Sequence, residues 1–196
     1  LTRRGCGRYN EALNVKGTAL RARLRYVEER AGLEGYRRFV DALAPQTRAI
    51  VDARILASAW YPFAAFIDLC EVVDRQLGQG DLALCHELGR YSCDANLPTL
   101  YKIFFRMADV QYILRRAAAA WQVNYDQGSM TMVADEDHRA VLRMVVPRPH
   151  RAHCLSVRGW IVRAGELSGA KDVRVAERCR LEGDPHCEFE LAWRDK

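Results

Sequence analysis

Three cysteines in the C-terminal part of the sequence, Cys154, Cys179 and Cys187, are the side chains whose type and spacing could do chemistry. Between the last two, Gly183-Asp184-Pro185 is turn chemistry: glycine tolerates positive φ, and proline fixes its own φ without donating a backbone hydrogen bond. Residues 173–179 and 186–193 alternate, largely apolar against polar, with period two, which predicts the two strands of a hairpin. Cys179 and Cys187 are then cross-strand neighbours with Cβ atoms about 5 Å apart. Two thiols that close form a disulfide, hold a metal ion, or pack as small apolar groups. Cys154 lies upstream beside His150 and His153, near the start of a predicted helix, where the positive dipole end favours a thiolate. Zinc favours thiolates and closes a structural site with four tetrahedral ligands. The three cysteines therefore predict a structural zinc site that requires one further ligand.

The pattern carries a resemblance. Cys154, then Cys179 after a gap of about 25 residues, then seven residues ending Gly183-Asp184-Pro185-His186 before Cys187, with Phe189 just beyond, is similar to the 4-vinyl reductase domain. That small-molecule-binding module also forms the N-terminal sensor domain of aromatic-responsive transcription activators. With Val15-Lys16-Gly17-Thr18 near the start and Trp60-Tyr61-Pro62 in the middle, the chain further resembles an uncharacterised myxobacterial family of about this length. In the aromatic-responsive sensors the fourth metal ligand is a glutamate shortly before the second cysteine, which the resemblance carries to Glu177. Strand parity agrees, since residues two apart share a face, whereas His186 points the other way from Cys187. His150, His153 and Asp184 remain alternatives. The resemblance implies a sensor that binds a small apolar or aromatic molecule and acts on a homodimer or a regulatory protein partner. The domain's name alternatively implies a reductase-like enzyme acting on a tetrapyrrole-type substrate.

Catalysis finds little support in the residues. The sequence holds no Gly-x-Ser-x-Gly, phosphate-binding glycine loop, dinucleotide fingerprint or His-Glu-x-x-His. Asp135-Glu136-Asp137-His138 is better explained as an acidic hairpin turn, and the lone histidines His86 and His138 are weak grounds for a haem. The surplus of aromatic and thioether side chains instead predicts an apolar pocket. Its expected lining is Tyr101, Phe105, Tyr112, Trp121, Met130, Met132, Met144 and Trp160, with Phe105, Trp121 and Met144 facing one cavity. Such side chains also serve as ordinary core.

The elements that must position these residues follow from periodicity and bulk. At 196 residues with 49% hydrophobic and 28% charged content, the sequence predicts a globular chain with a real core rather than a disordered one. No apolar run approaches the roughly 20 residues of a membrane span. The N-terminal residues lack the apolar stretch of a signal peptide, and seven cysteines is an odd number. Both predict a cytoplasmic protein with reduced thiols. The net charge of +5 is concentrated in residues 1–54. With no helix-turn-helix or basic block, a nucleic-acid partner is not expected, although a structural interaction protein using those basic helices is a third reading.

Thr18 is a predicted cap for a helix to about Gly32, in which Leu20, Leu24 and Val27 face inward and Arg21, Arg25 and Glu28 face water. Further helices are expected from Tyr36, from Gln46, after Pro62 to Leu77, around Leu82 to Gly89, and from Asp109 through Trp121. From Asn124 the period changes. Residues 129–133 and 138–146 read as a hairpin, residues 151–167 as a helix with Cys154, Val157, Ile161 and Ala164 on one face, and the final hairpin follows. The expectation is an α+β single domain over 1–196, with a mainly helical part (1–122) packed on a small antiparallel sheet of two hairpins joined by a helix (123–196).

Overall fold

A computed structural model describes residues 13–96, 110–119 and 121–194. The chain opens with a short strand β1 (Asn14–Lys16), which pairs antiparallel with β2 (Trp60–Pro62). This pairing sets the start of helix α1 (Gly17–Asp41). Thr18 does not cap it: the backbone N–H groups of Gly17 and Thr18 donate to Ala59 O and Ala57 O, at 3.0 and 3.2 Å. Loop carbonyls thereby satisfy donors that a helix start leaves open. Gly32, at φ 62° and ψ −170°, interrupts α1, so the two helices expected on either side of it are one kinked run.

Helix α2 (Pro45–Asp52) carries proline at its first turn, where the missing N–H costs nothing. Helices α3 (Phe63–Leu77) and α4 (Leu84–Asn96) follow, and α4 runs past the expected end at Gly89 to include Cys93. Between them Asp74, fully buried, accepts from the N–H groups of Leu82 and Leu84 at 2.8 and 3.0 Å. The expected helix from Asp109 is seen as α5 (Val110–Ala119), with α6 (Trp121–Asn124) after it. Among the described residues no helix is long and apolar enough to cross a membrane.

The sheet is antiparallel throughout, with strands β3 (Ser129–Glu136), β4 (Arg139–Val145), β5 (Lys171–Arg178) and β6 (Cys187–Arg194) in spatial order β3-β4-β6-β5. Helix α7 (Arg151–Leu167) joins the two hairpins, as expected. Strand alternation sends Ala140, Leu142, Met144, Cys187, Phe189 and Leu191 into one core beneath α7. A second core, around Leu20, Phe39, Phe66, Leu69 and Val73, fills the helical part. This mixed α+β architecture is the one the sequence predicts.

Helices α4 and α7 meet backbone to backbone. A Cβ added at Gly89 would lie 1.9 Å from Ser156 O, and one at Gly159 would lie 1.9 Å from His86 O. Only glycine admits so close an approach. It puts Ser92 of α4 and Ser156 of α7 within reach of one α1 side chain, Arg23.

Candidate functional site

The three cysteines do converge. Cys179 Sγ lies 3.6 Å from Cys154 Sγ and 3.5 Å from Cys187 Sγ, and all three sulfurs fall within 4.8 Å of one another, fully buried. Strand pairing delivers Cys187 opposite Met144, and the turn of 3-10 helix at Arg180–Glu182, closed by Gly183 at φ 95°, folds Cys179 back toward it. Burial, and then the neighbouring sulfurs, push the Cys154 thiol well above its ordinary value, so it holds its proton at neutral pH.

Parity puts Glu177 on the predicted face, but its carboxylate turns to α7: Arg151 Nη1 donates to Glu177 Oε1 at 2.8 Å. It stands outside the sulfur cluster. The alternative ligands are also engaged. Asp184 accepts from the Cys179 N–H at 3.2 Å, and His150 accepts from the Ala152 N–H at the start of α7 at 3.3 Å. His153 is enclosed by Phe63, Phe66, Trp121 and Tyr125.

A second constellation lies at the seam of the two cores. A cavity of about 580 Å³ is walled by Phe66 of α3, Trp121 and Tyr125 at α6, Met130 of β3, and Val157, Trp160 and Ile161 of α7. Lys16, Ser58, Asn96 and Val123 form its more exposed side, whereas Arg23, Phe66, Ser92, Trp121, Ser156 and Ile161 are buried. Its aromatic wall is held in place. Trp121 and Tyr125 stack with centroids 4.1 Å apart, and Trp121 Nε1 donates to Gln127 O at 3.1 Å. Behind Tyr125, its hydroxyl meets His153 Nε2 at 2.9 Å. Burial first, then the charges of Arg23 and His150, lower the His153 imidazole to about 3, so it is neutral.

Of the pocket residues expected from sequence, Trp121, Met130 and Trp160 line this cavity. Met144 is buried in the sheet core and Met132 packs against that core, and neither lines the cavity. Tyr112 is 51% exposed on α5. Tyr101 and Phe105 lie outside the described residues, as does Cys6. Asp135 sits in strand β3, paired with Arg115, and the hairpin turn falls at Asp137 and His138 instead. The sequence reading passed over Arg23, Ser92 and Ser156. Arg23 did leave a signal, since it stands three residues after Leu20 and four before Val27, on the buried face of α1.

A helical layer over a four-stranded antiparallel sheet, with an apolar cavity at the seam, defines the class of fold. Among solved structures it is that of the H-NOX domains. An H-NOX protein from S. oneidensis described in an Fe(II) ligation state matches with TM-score 0.75 and 14% identity, over 92% of this chain and 97% of that one. One from K. algicida, described as Fe(II) unliganded, gives 0.70 and 11% over 92% and 97%. An oxygen-binding H-NOX domain related to soluble guanylate cyclases gives 0.62 and 11% over 92% and 95%. No family model and no curated protein sequence matches the chain.

Two expectations are corrected by these findings. The resemblance to the 4-vinyl reductase domain gives way to the H-NOX fold, a different one. The short Cys–Gly-Asp-Pro–Cys pattern specifies a hairpin with two thiols, and that local device does not determine the topology around it. The zinc cofactor is withdrawn as well. The matching domains are described with iron, and Glu177, the expected fourth ligand, stands outside the sulfur cluster with one carboxylate oxygen bound to Arg151.

Proposed function

We propose that the chain is a small-molecule-binding sensory domain on the H-NOX fold, without catalysis, whose ligand is an organic molecule held in the cavity at the seam. The observation that carries this reading is the cavity itself: a preformed apolar volume walled by rigidly held aromatic side chains, with few polar groups converging on it.

H-NOX domains bind haem, and solved examples are described in Fe(II)NO and oxygen-bound states. The residues of this cavity do not fit that group. Haem iron is ordinarily held by an imidazole, a thiolate, a thioether or a phenolate. None of the chain's five histidines lines the cavity, and no cysteine does among the described residues. Among the described residues Tyr125 is the one phenol there, and its hydroxyl is bound to His153. Met130 offers a thioether, which in haem proteins accompanies a histidine. The reading therefore keeps the fold and the sensing role and replaces haem by an organic ligand.

Occupancy has a short path to the surface. Lys16 and Ser58 on the open side of the cavity are joined by a hydrogen bond of 2.9 Å, and the Lys16 ammonium lies 3.7 Å over the ring of Trp60. Trp60, on β2 and 41% exposed, then gives a partner protein a surface that ligand contact with Lys16 shifts.

The test uses Trp121 and Trp160 as built-in reporters. Tryptophan emission is titrated with a panel of small aromatic and aliphatic molecules in the full chain and in Val157→Phe, which fills the cavity. Saturable quenching that weakens at least tenfold in the variant supports the reading. No saturable response to any compound, or an equal response in Val157→Phe, rejects it.

A further inference from the structure

We infer that the cavity recognises an anion: Arg23 is the anchor for the carboxylate of a ligand whose body is apolar. This deepens the proposed binding role and rests on it. Arg23 is 2% exposed, yet among the described residues no carboxylate pairs with it. Its Nη1 donates to Ala19 O at 3.2 Å and to Ser92 Oγ, its Nη2 donates to Ser156 Oγ, and its guanidinium lies 4.4 Å over the ring of Phe66. A guanidinium has five N–H donors; besides these three bonds it meets the Cys70 thiol, and Nε is buried with no partner.

Such an arrangement is costly in a finished core. Serine hydroxyls and a ring face orient the cation but carry no counter-charge, the Cys70 thiol beside it supplies one only in part near neutral pH, and an under-compensated buried charge is unfavourable. The same group lines the cavity. Hydroxyls that fix the guanidinium while leaving Nε open are what a carboxylate site needs before its ligand arrives. Around it, Phe66 and Trp160 offer apolar and aromatic surface, and Lys16 on the open side adds a second positive charge that draws an anion inward. The ligand class is thus an amphipathic organic acid, with its carboxylate inward and its hydrocarbon or ring against the aromatic wall.

The test compares two molecules of nearly one shape, 3-phenylpropionate and its neutral amide, by tryptophan emission in the full chain at pH 7.5. The acid is expected to bind at least tenfold more tightly than the amide. Arg23→Met is expected to bring the two to within threefold of each other, and Arg23→Lys to keep the acid ahead. If the amide binds as well as the acid in the native chain, the anion assignment is overturned while the cavity remains a binding site. If neither molecule binds, this inference fails, and the panel with Val157→Phe decides separately whether the cavity binds anything. Should Arg23→Met fail to fold, the native chain still decides by pH: the preference for the acid must vanish as the probe itself becomes neutral. A preference unchanged in a folded Arg23→Met also overturns the assignment.

Discussion

His153 Nε2 lies 2.9 Å from the Tyr125 hydroxyl, and its Nδ1 is buried without a partner, so the ring that supports the cavity's aromatic wall is held in its neutral form. Its folded value, about 3, is below the ordinary one of 6.5. Between these values the unfolded chain binds a proton that the folded chain refuses. Stability therefore falls as pH drops from about 6.5 toward 3, by up to about 1.4 kcal/mol per pH unit from this group. Urea unfolding from pH 8 to pH 4 should show that slope, and His153→Gln should reduce it by about one proton. An unchanged slope in the variant rejects the assignment.

The contact between α4 and α7 gives a prediction about stability. Gly89→Ala and Gly159→Ala each press a methyl group against a backbone carbonyl oxygen, which neither helix yields without moving. Each should cost more than about 3 kcal/mol, toward the severe end for single substitutions. Because the same contact aligns Ser92 and Ser156 on Arg23, any folded variant should also bind the acid probe more weakly. A loss below about 1 kcal/mol in thermal or denaturant unfolding counts against the described packing.

Cys70 is the internal group that competes for the Arg23 charge. Burial raises its thiol, but a hydrogen bond with Cys85 and the nearby guanidinium outweigh that and bring it to about 7, with Glu71 opposing. Above pH 7 the thiolate partly answers Arg23 and should weaken acid binding. Affinity for 3-phenylpropionate is expected to fall severalfold from pH 6 to pH 8 in the native chain and to stay level in Cys70→Ser. A pH dependence identical in both rejects the coupling.

The sulfur cluster should behave as buried, unreactive thiols. With Cys154 and Cys187 both raised, first by burial, thiol-directed reagents at pH 7.5 should leave Cys154, Cys179 and Cys187 unmodified in the folded chain and label all three in denaturant. Peptide mass spectrometry after brief labelling checks this. Rapid labelling of Cys154 under native conditions is the contrary result.

Much of the architecture was legible because it is local. The change from helical to alternating period after Asn124 marks the sheet, and the helix at 151–167 is where its periodicity puts it. The meeting of Cys179 and Cys187 follows from the turn at Gly183 and from strand parity. What escaped the sequence is long-range. Arg23 takes its role from Ser92 and Ser156, 69 and 133 residues further along the chain. Glu177 is turned from the sulfurs by Arg151, on a helix 26 residues upstream. Gly159 reads as an ordinary helix-interior glycine until His86 O is found against it. Met144 and Trp121 look alike in a list of bulky side chains and both join the sheet core, yet only Trp121 also lines the cavity. Periodicity gives a buried face but not whether that face meets other side chains or a cavity.

Native mass spectrometry of the full chain, expressed with a haem precursor supplied and then mixed with 3-phenylpropionate, tests the central claim most directly. The account predicts a chain that retains no haem, shows no Soret absorbance, and takes up one probe molecule, with uptake lost in Val157→Phe. Stoichiometric haem retained through purification, in a protein that excludes the probe, would contradict it.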